Sequence, residues 1–191
     1  MALSSIPAHA AVQETEPTSR TVTVGMNFAG YDKKTAEANG YVIKKTAKGS
    51  EYSVKKDASP AEEQELADQA DARDAAALID NTGEVHGNCG SAWITLTGNS
   101  NHHGQLSTGF EIFNQKAWWY EWGVSVVDVN GSSHQGWGPS TLDFQSQWSG
   151  SRSVTLYGSA YATIIPGDSY AELADGTYCT AGPASAYDWF G

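Results

Sequence analysis

Short segments rich in β-branched and aromatic residues recur through the second half of the chain, separated by turn residues. Asn130-Gly131 and Pro166-Gly167-Asp168 are two of these turns. Segments of this length and spacing are typical of antiparallel strands in a sandwich or a small barrel. The sequence therefore predicts a mainly β protein whose strands cover residues 92–97, 106–113, 118–129, 153–157, 160–165 and 170–173.

The chain has two cysteines, Cys89 and Cys179, at the two ends of this β-rich region. Cys89 lies in the stretch GNCGSAW, which differs from the papain-type signature because Ala92 holds the place of the nucleophilic cysteine. A methyl group cannot attack a carbonyl carbon, so the stretch indicates a structural cysteine. In an oxidising compartment the two cysteines would pair and tie the first predicted strand of the region to the last.

The chain divides into three predicted parts. Residues 1–10 end in Ala8-His9-Ala10, an A-x-A cleavage pattern, and are interpreted as the remnant of an export signal; the alternative is an ordinary terminus. Residues 11–80 form a small α/β extension with a strand, short helices and a hairpin. Residues 81–191 form the disulfide-linked β-sandwich domain. The signal and the cysteines together predict a secreted protein.

The extension begins with a polar, proline-containing segment that leads into one alternating strand. Val22, Val24, Met26 and Phe28 share one face of this strand. One interpretation is an edge strand of the protein's own sheet. The other interpretation, which we favour, is a docking strand that binds a protein partner. The docking interpretation predicts that residues 11–28 contribute little to the fold of the β-domain.

Local signals define the rest of the extension. Asp32 is placed to cap a short helix over 33–39, and residues 41–45 and 52–56 form a hairpin around Gly49. Ser59 and Glu62 form a capping box at the start of a helix within 59–80.

The aromatic run from Trp118 to Trp122 predicts one core face and one outer face. Trp118, Tyr120 and Trp122 share the core face of a strand, whereas Trp119 lies on the other face. Trp119 and Trp93 are therefore candidates for contact with a protein partner or a sugar ring, although partial burial under a loop is the commoner fate of such residues.

The charge balance limits the partners. The chain has 22 acidic and 11 basic residues and a net charge of −11, which disfavours binding to nucleic acid or to an anionic membrane. His102 and His103 are adjacent, but no cysteine or carboxylate stands near them at ligand spacing, so we predict no metal and no cofactor.

A catalytic role is not predicted. Glu111 and Glu121 lie on predicted strands that we expect to be neighbours, and a glycosidase would need two such carboxylates facing one cleft. Most carboxylates on strands are solvated, however, and the common hydrolase and phosphate-binding motifs do not occur.

Three stretches carry a resemblance to a known family: NFAGYDKKTAEANGYVIKK with YSVKK, GNCGSAWITLTG, and STGFEIF with WWYEWGVSVVD and QSQWSGSRSV. Together they resemble the adaptor subunits of umbrella toxin particles, small exported proteins of Streptomyces and related actinobacteria. The resemblance covers most of residues 21–179. It implies an adaptor that joins a lectin to a large repeat-containing antibacterial toxin, and it assigns no individual binding residue.

Two functions of different classes follow. The first is a non-catalytic secreted adaptor that links protein partners. The alternative is a secreted carbohydrate-binding module that uses exposed tryptophans.

Overall fold

The computed structural model of the chain describes residues 20–77 and 87–191. The predicted signal remnant and nearly all of the polar segment that follows it lie outside these ranges. Twelve strands and two helices are present in the described parts of the chain. They are β1 (Val22–Tyr31), α1 (Lys33–Ala38), β2 (Tyr41–Lys45), β3 (Glu51–Lys55), α2 (Pro60–Ala77), β4 (Gly90–Gly98), β5 (His103–Ile112), β6 (Ala117–Asp128), β7 (Gly131–Gln145), β8 (Gln147–Thr155), β9 (Gly158–Ile164), β10 (Tyr170–Leu173), β11 (Thr177–Ala181) and β12 (Ser185–Phe190).

One large antiparallel sheet contains ten of these strands. Its order is β12-β9-β6-β10-β11-β1-β4-β5-β8, and β7 pairs with the other edge of β6. The end strand β8 returns toward β7: Arg152 donates to the carbonyl oxygen of Gly136, and Trp137 packs edge-on against Trp148. The predicted mainly β, antiparallel fold with a small α/β portion near the N-terminus is confirmed.

The core lies on the inner face of this sheet. Trp122 is almost completely buried, and its indole Nε1 donates to Thr108 Oγ1 at 2.9 Å. The Thr108 hydroxyl in turn donates to the carbonyl oxygen of Trp93 at 2.8 Å. Tyr120 shares the core face as predicted. Trp118 does not, because a bulge between Ala117 and Trp119 interrupts the alternation, and its side chain is only half-buried.

Strand β1 is an interior strand of the sheet, which corrects the docking model. It pairs with β4 along one edge, with Val22 opposite Ile94, and with β11 along the other, with Phe28 opposite Cys179. Met26 is fully buried, and the side chains of Val22, Val24 and Phe28 are half-buried against the core. Residues 22–26 pair with β4 and residues 26–31 pair with β11, so β1 lies between two strands of the chain's own sheet and is not an edge strand. Strand β1 therefore belongs to the same sheet as the strands of the predicted β-domain, although it precedes the predicted domain boundary between residues 80 and 81.

The predicted disulfide is confirmed. Cys89 and Cys179 are bonded, with their Cα atoms 5.8 Å apart, and both side chains are buried in the core. Cys179 lies in β11 rather than in the last strand, because β12 follows it. A bridged, buried cysteine pair is typical of proteins from an oxidising compartment.

The segment between β1 and β4 forms a small α/β unit with its own core of Tyr52, Val54 and Ala70. Its predicted caps are confirmed. The Asp32 carboxylate accepts from the Thr35 N–H at 2.9 Å, and Ser59 and Glu62 exchange hydrogen bonds at the start of α2. Neither helix is long and apolar enough to cross a membrane.

Hydrogen bonds join this α/β unit to the sheet. The hydroxyl of Ser53 donates to the carbonyl oxygen of Asp175 at 2.6 Å, and the Asp32 N–H donates to Gly176 O at 2.7 Å. The guanidinium of Arg73 in α2 lies 3.7 Å from the centroid of the Phe28 ring. The unit is thus held against the end of β1 and the β10–β11 turn.

Candidate functional site

An exposed group of aromatic side chains lies on the outer face of β9 and β12. The two strands pair along their full length, with Tyr161 opposite Tyr187 and Ser159 opposite Trp189. Alternate residues of both strands, such as Ala162 and Phe190, are buried on the inner face, so the intervening residues face outward. We call Tyr161, Tyr187 and Trp189, with Val127 on the neighbouring β6, the aromatic face.

These side chains are unusually exposed for their size. About half of each residue's surface is accessible: 50% for Tyr161, 45% for Tyr187 and 51% for Trp189. The Tyr161 and Tyr187 rings are in contact, with centroids 5.0 Å apart. All seven tryptophans lie in the described residues, and Trp189 alone is in the exposed class. An exposed cluster of large aromatic residues is characteristic of a binding surface.

The outward positions that β6, β9 and β12 share carry no formal charge. They alternate aromatic and hydroxyl side chains, and the Thr163 and Ser185 hydroxyls are hydrogen-bonded at 2.7 Å. The uncharged residues are Ser125, Val127, Ser159, Tyr161, Thr163, Ser185, Tyr187 and Trp189. In a chain with a net charge of −11, these positions form an uncharged area of the surface.

Asp188 holds the end of β12 in place from the opposite side. Its buried carboxylate accepts from the Gly98 N–H at 2.7 Å and from the Trp189 N–H at 2.8 Å. A Cβ on Gly98 would lie 2.6 Å from the Trp189 carbonyl oxygen and 3.0 Å from the Phe190 ring. Glycine is therefore required for this close approach of β4 to β12. These contacts hold the backbone of β12 against β4 beneath the aromatic face.

The predicted partner-binding residues do not lie on the aromatic face. Val22, Val24 and Met26 lie in β1, several strands away. Trp93 and Trp119 are half-buried on different strands: the Trp93 ring lies over Gly109, and Trp119 packs against Trp118 with centroids 5.8 Å apart. The roles of Trp93 and Trp119 in binding stay predictions.

Phe28 lines a separate crevice between the α/β unit and the sheet. This cavity has a volume of about 300 Å³, and Arg73, Phe113 and Leu173 also line it. Phe113 is 45% exposed. The crevice therefore brings one predicted partner-binding residue next to an exposed aromatic ring that the sequence did not single out.

The two carboxylates considered as a glycosidase pair, Glu111 and Glu121, are not on adjacent strands. Strands β5 and β6 are consecutive in the chain but are not hydrogen-bonded to each other. Glu121 instead accepts from the hydroxyl of Tyr170 in β10 at 3.0 Å. Burial, followed by the contact with Glu121, raises the pKa of Tyr170 to about 12.

The adjacent histidines have structural contacts: the His102 ring stacks on Tyr157 with centroids 4.5 Å apart, and His103 Nδ1 lies 3.2 Å from Thr155 Oγ1. Among residues 20–77 and 87–191, no group of three or more His, Cys, Asp or Glu residues is placed to hold a metal ion.

Comparison of the chain with family models, curated proteins and solved structures found no match.

Proposed function

We propose that this protein is a non-catalytic, exported adaptor that binds a protein partner through its aromatic face. The observation that carries the proposal is the side-by-side exposure of Tyr161, Tyr187 and Trp189 on a rigid sheet. Tyrosine and tryptophan dominate the binding energy of protein interfaces. Covering such a group removes a large apolar area from water.

The rigidity of the surface favours tight association. Strand β12 pairs with β9 on one edge, and Asp188 anchors its backbone to Gly98. Because these side chains stand on a fixed backbone, little chain entropy is lost when a partner binds. A flexible loop bearing the same aromatic residues would lose part of its binding energy to ordering.

An adaptor needs a second surface, and the crevice at Phe28 and Phe113 is the best candidate. It is formed by β1, α2 and the β5–β6 turn, whereas the aromatic face is formed by β9 and β12. Two partners bound at these places would contact different strands of one disulfide-linked body. With the resemblance in sequence, this favours a link between a lectin and a repeat-containing toxin in an antibacterial particle.

A second candidate function is binding of a neutral carbohydrate at the same aromatic face. The observation that favours it is the alternation of aromatic and hydroxyl side chains without a charged residue. Aromatic rings stack on the apolar faces of sugars, and hydroxyls exchange hydrogen bonds with sugar hydroxyls. The tryptophan involved would be Trp189 rather than Trp93 or Trp119.

Affinity-tagged protein, purified from the producing organism with its bound partners, separates these functions. The double variant Tyr187→Ala/Trp189→Ala should lose a partner protein identified by mass spectrometry. Phe144→Ala, which removes an equally exposed aromatic ring outside the face, should retain it. Equal recovery with both variants contradicts the adaptor proposal for this face. Binding of the wild type to a neutral-glycan array, lost in the double variant without any change in protein partners, would favour the carbohydrate function.

A further inference from the structure

A second group of aromatic side chains, this one acidic, lies on the outer face of the sheet where β6 pairs with β10. Glu121 lies opposite Tyr170, Trp119 opposite Glu172, and Glu172 opposite Tyr178 of β11. The Tyr170 and Tyr178 rings stack with centroids 5.1 Å apart. We call these five residues, together with Asp32 at the start of α1, the acidic aromatic site.

Glu172 lies opposite Tyr178, and the negative charges of three carboxylates act on the Tyr178 hydroxyl. Burial raises the pKa of the Tyr178 hydroxyl, and the charges of Glu172, Asp32 and Glu121 raise it further. Glu121 and Glu172 are diagonal neighbours on adjacent strands, a relationship in which Cα atoms are about 7–8 Å apart. Both residues are on the same face of the sheet, two positions apart across one strand pair.

No cation in the described chain neutralises these carboxylates. All four ion pairs found among residues 20–77 and 87–191 lie within the small α/β unit. Glu172 is only 5% exposed, and its Oε1 has no hydrogen-bond partner. A buried carboxylate oxygen without a donor is costly and unusual in a folded protein. The site therefore has unused capacity to accept hydrogen bonds.

A guanidinium group matches this combination. It is planar and can stack on tyrosine or tryptophan, and its five N–H groups can bind two carboxylates at once. The chain already uses this arrangement internally: Arg73 lies over Phe28 and donates to the Tyr31 hydroxyl at 3.2 Å. The net charge of −11 would also attract a basic partner.

We infer that the acidic aromatic site binds an arginine side chain presented by a protein partner, with the guanidinium over the tyrosine pair and its N–H groups on Glu121 and Glu172. This inference rests on the proposed adaptor function, because it names the chemistry of one partner. It places that contact on β6, β10 and β11, beside the aromatic face on β9 and β12.

The probe for this inference is N-acetyl-arginine amide, titrated into the full chain and followed by NMR at the Trp119 indole and the tyrosine rings. Saturable shifts are expected at these signals and not at the Trp189 indole. N-acetyl-citrulline amide, which is nearly isosteric but uncharged, should produce none. Glu121→Gln and Glu172→Gln should each weaken binding at least threefold, and Trp189→Ala should leave it unchanged.

The absence of saturable shifts with the arginine probe would overturn the inference. The inference would also be overturned if N-acetyl-lysine amide, which lacks the planar group, bound as tightly as the arginine probe. Equal binding of calcium ions, added as calcium chloride, would overturn it in the same way. The adaptor function fails separately: it fails if the aromatic-face variants retain every partner protein, whatever the arginine probe does. Partner loss in those variants without arginine binding would overturn this inference alone.

Discussion

Cys89 donates its backbone N–H to the carbonyl oxygen of Met26 at 3.0 Å, so the disulfide begins beside the buried interior strand β1. The sulfur of Cys89 is bonded to Cys179, which lies in β11 on the other side of β1. The disulfide thus joins β11 to the residue that precedes β4, and these are the two strands that flank β1.

Loss of the disulfide should destabilise the protein strongly. The bonded cysteines are 90 residues apart, and closing a loop of that length restricts the unfolded chain by about 4–5 kcal/mol in the chain-entropy treatment. We expect Cys89→Ala/Cys179→Ala to lower the free energy of unfolding by about 2–5 kcal/mol in urea titrations. A double variant with an unchanged urea midpoint, or free thiols in the exported protein, would contradict this role.

Changes in β1 should affect the fold rather than a separate docking event. Met26→Ala removes a fully buried side chain and should cost about 2–5 kcal/mol. Asn27→Ala changes the exposed neighbour on the opposite face and should change stability by no more than about 0.5 kcal/mol. Thermal melts followed by circular dichroism test both. Equal melting temperatures for the Met26 variant and the wild type would restore the docking interpretation.

Thr108 connects the largest buried side chain to a neighbouring strand. Its hydroxyl accepts from Trp122 Nε1 and donates to Trp93 O, and Thr108 is fully buried. Thr108→Val keeps the shape but leaves both groups without a partner, which should cost about 1–3 kcal/mol in chemical denaturation. Thr97→Val, an exposed change in β4, is the matched control. A smaller loss for Thr108→Val than for the control would show that another group replaces the hydroxyl.

Glu172 should make stability decrease as pH rises. Burial raises its pKa above the ordinary value of 4.5, and the negative charge of Asp32 raises it further, while the contact with Thr35 lowers it. Tyr178 and Glu121 face it from β11 and β6. Between pH 4.5 and the raised pKa, the folded state keeps a proton on Glu172 that the unfolded chain has lost. The contribution of Glu172 to the free energy of unfolding is therefore fully present below pH 4.5 and is lost as pH rises through the raised pKa.

Glu172→Gln tests this dependence because it removes the titrating group and keeps its size. The variant should become more stable relative to the wild type as pH increases from 4 upward, measured as the urea midpoint at each pH. Glu62 has the opposite shift, a pKa lowered by its hydrogen bonds to Ser59, so Glu62→Gln is a control of opposite sign. Parallel curves for the Glu172 variant and the wild type would contradict the assignment.

Local signals in the sequence predicted several elements correctly. Asp32 and Ser59 begin helices because their side chains satisfy free N–H groups in the first turn. Alternation placed Tyr120 and Trp122 in the core, and the hairpin over β2 and β3 formed around Gly49. Each of these features depends on residues a few positions apart.

Other elements lacked such signals. Strand β7 contains several polar residues, glycines and Pro139, and it forms because it pairs with β6 along most of its length, with two irregularities in register. Strands β11 and β12 are short, and β12 was missed although Tyr187 and Trp189 alternate with buried residues. That alternation was the available signal for the aromatic face.

The class of fold, the helix caps and the cysteine pair available for bonding could be predicted from the amino-acid sequence, because they follow from neighbouring residues or from composition. Which strands are adjacent became known only from the folded chain. The alternating pattern of β1 is the same for an interior strand and for a docking strand, and only its pairing with β4 and β11 distinguishes them. Likewise, Glu121 lies opposite Tyr170 of β10 rather than beside Glu111, because sheet order depends on contacts between distant residues that no local pattern encodes.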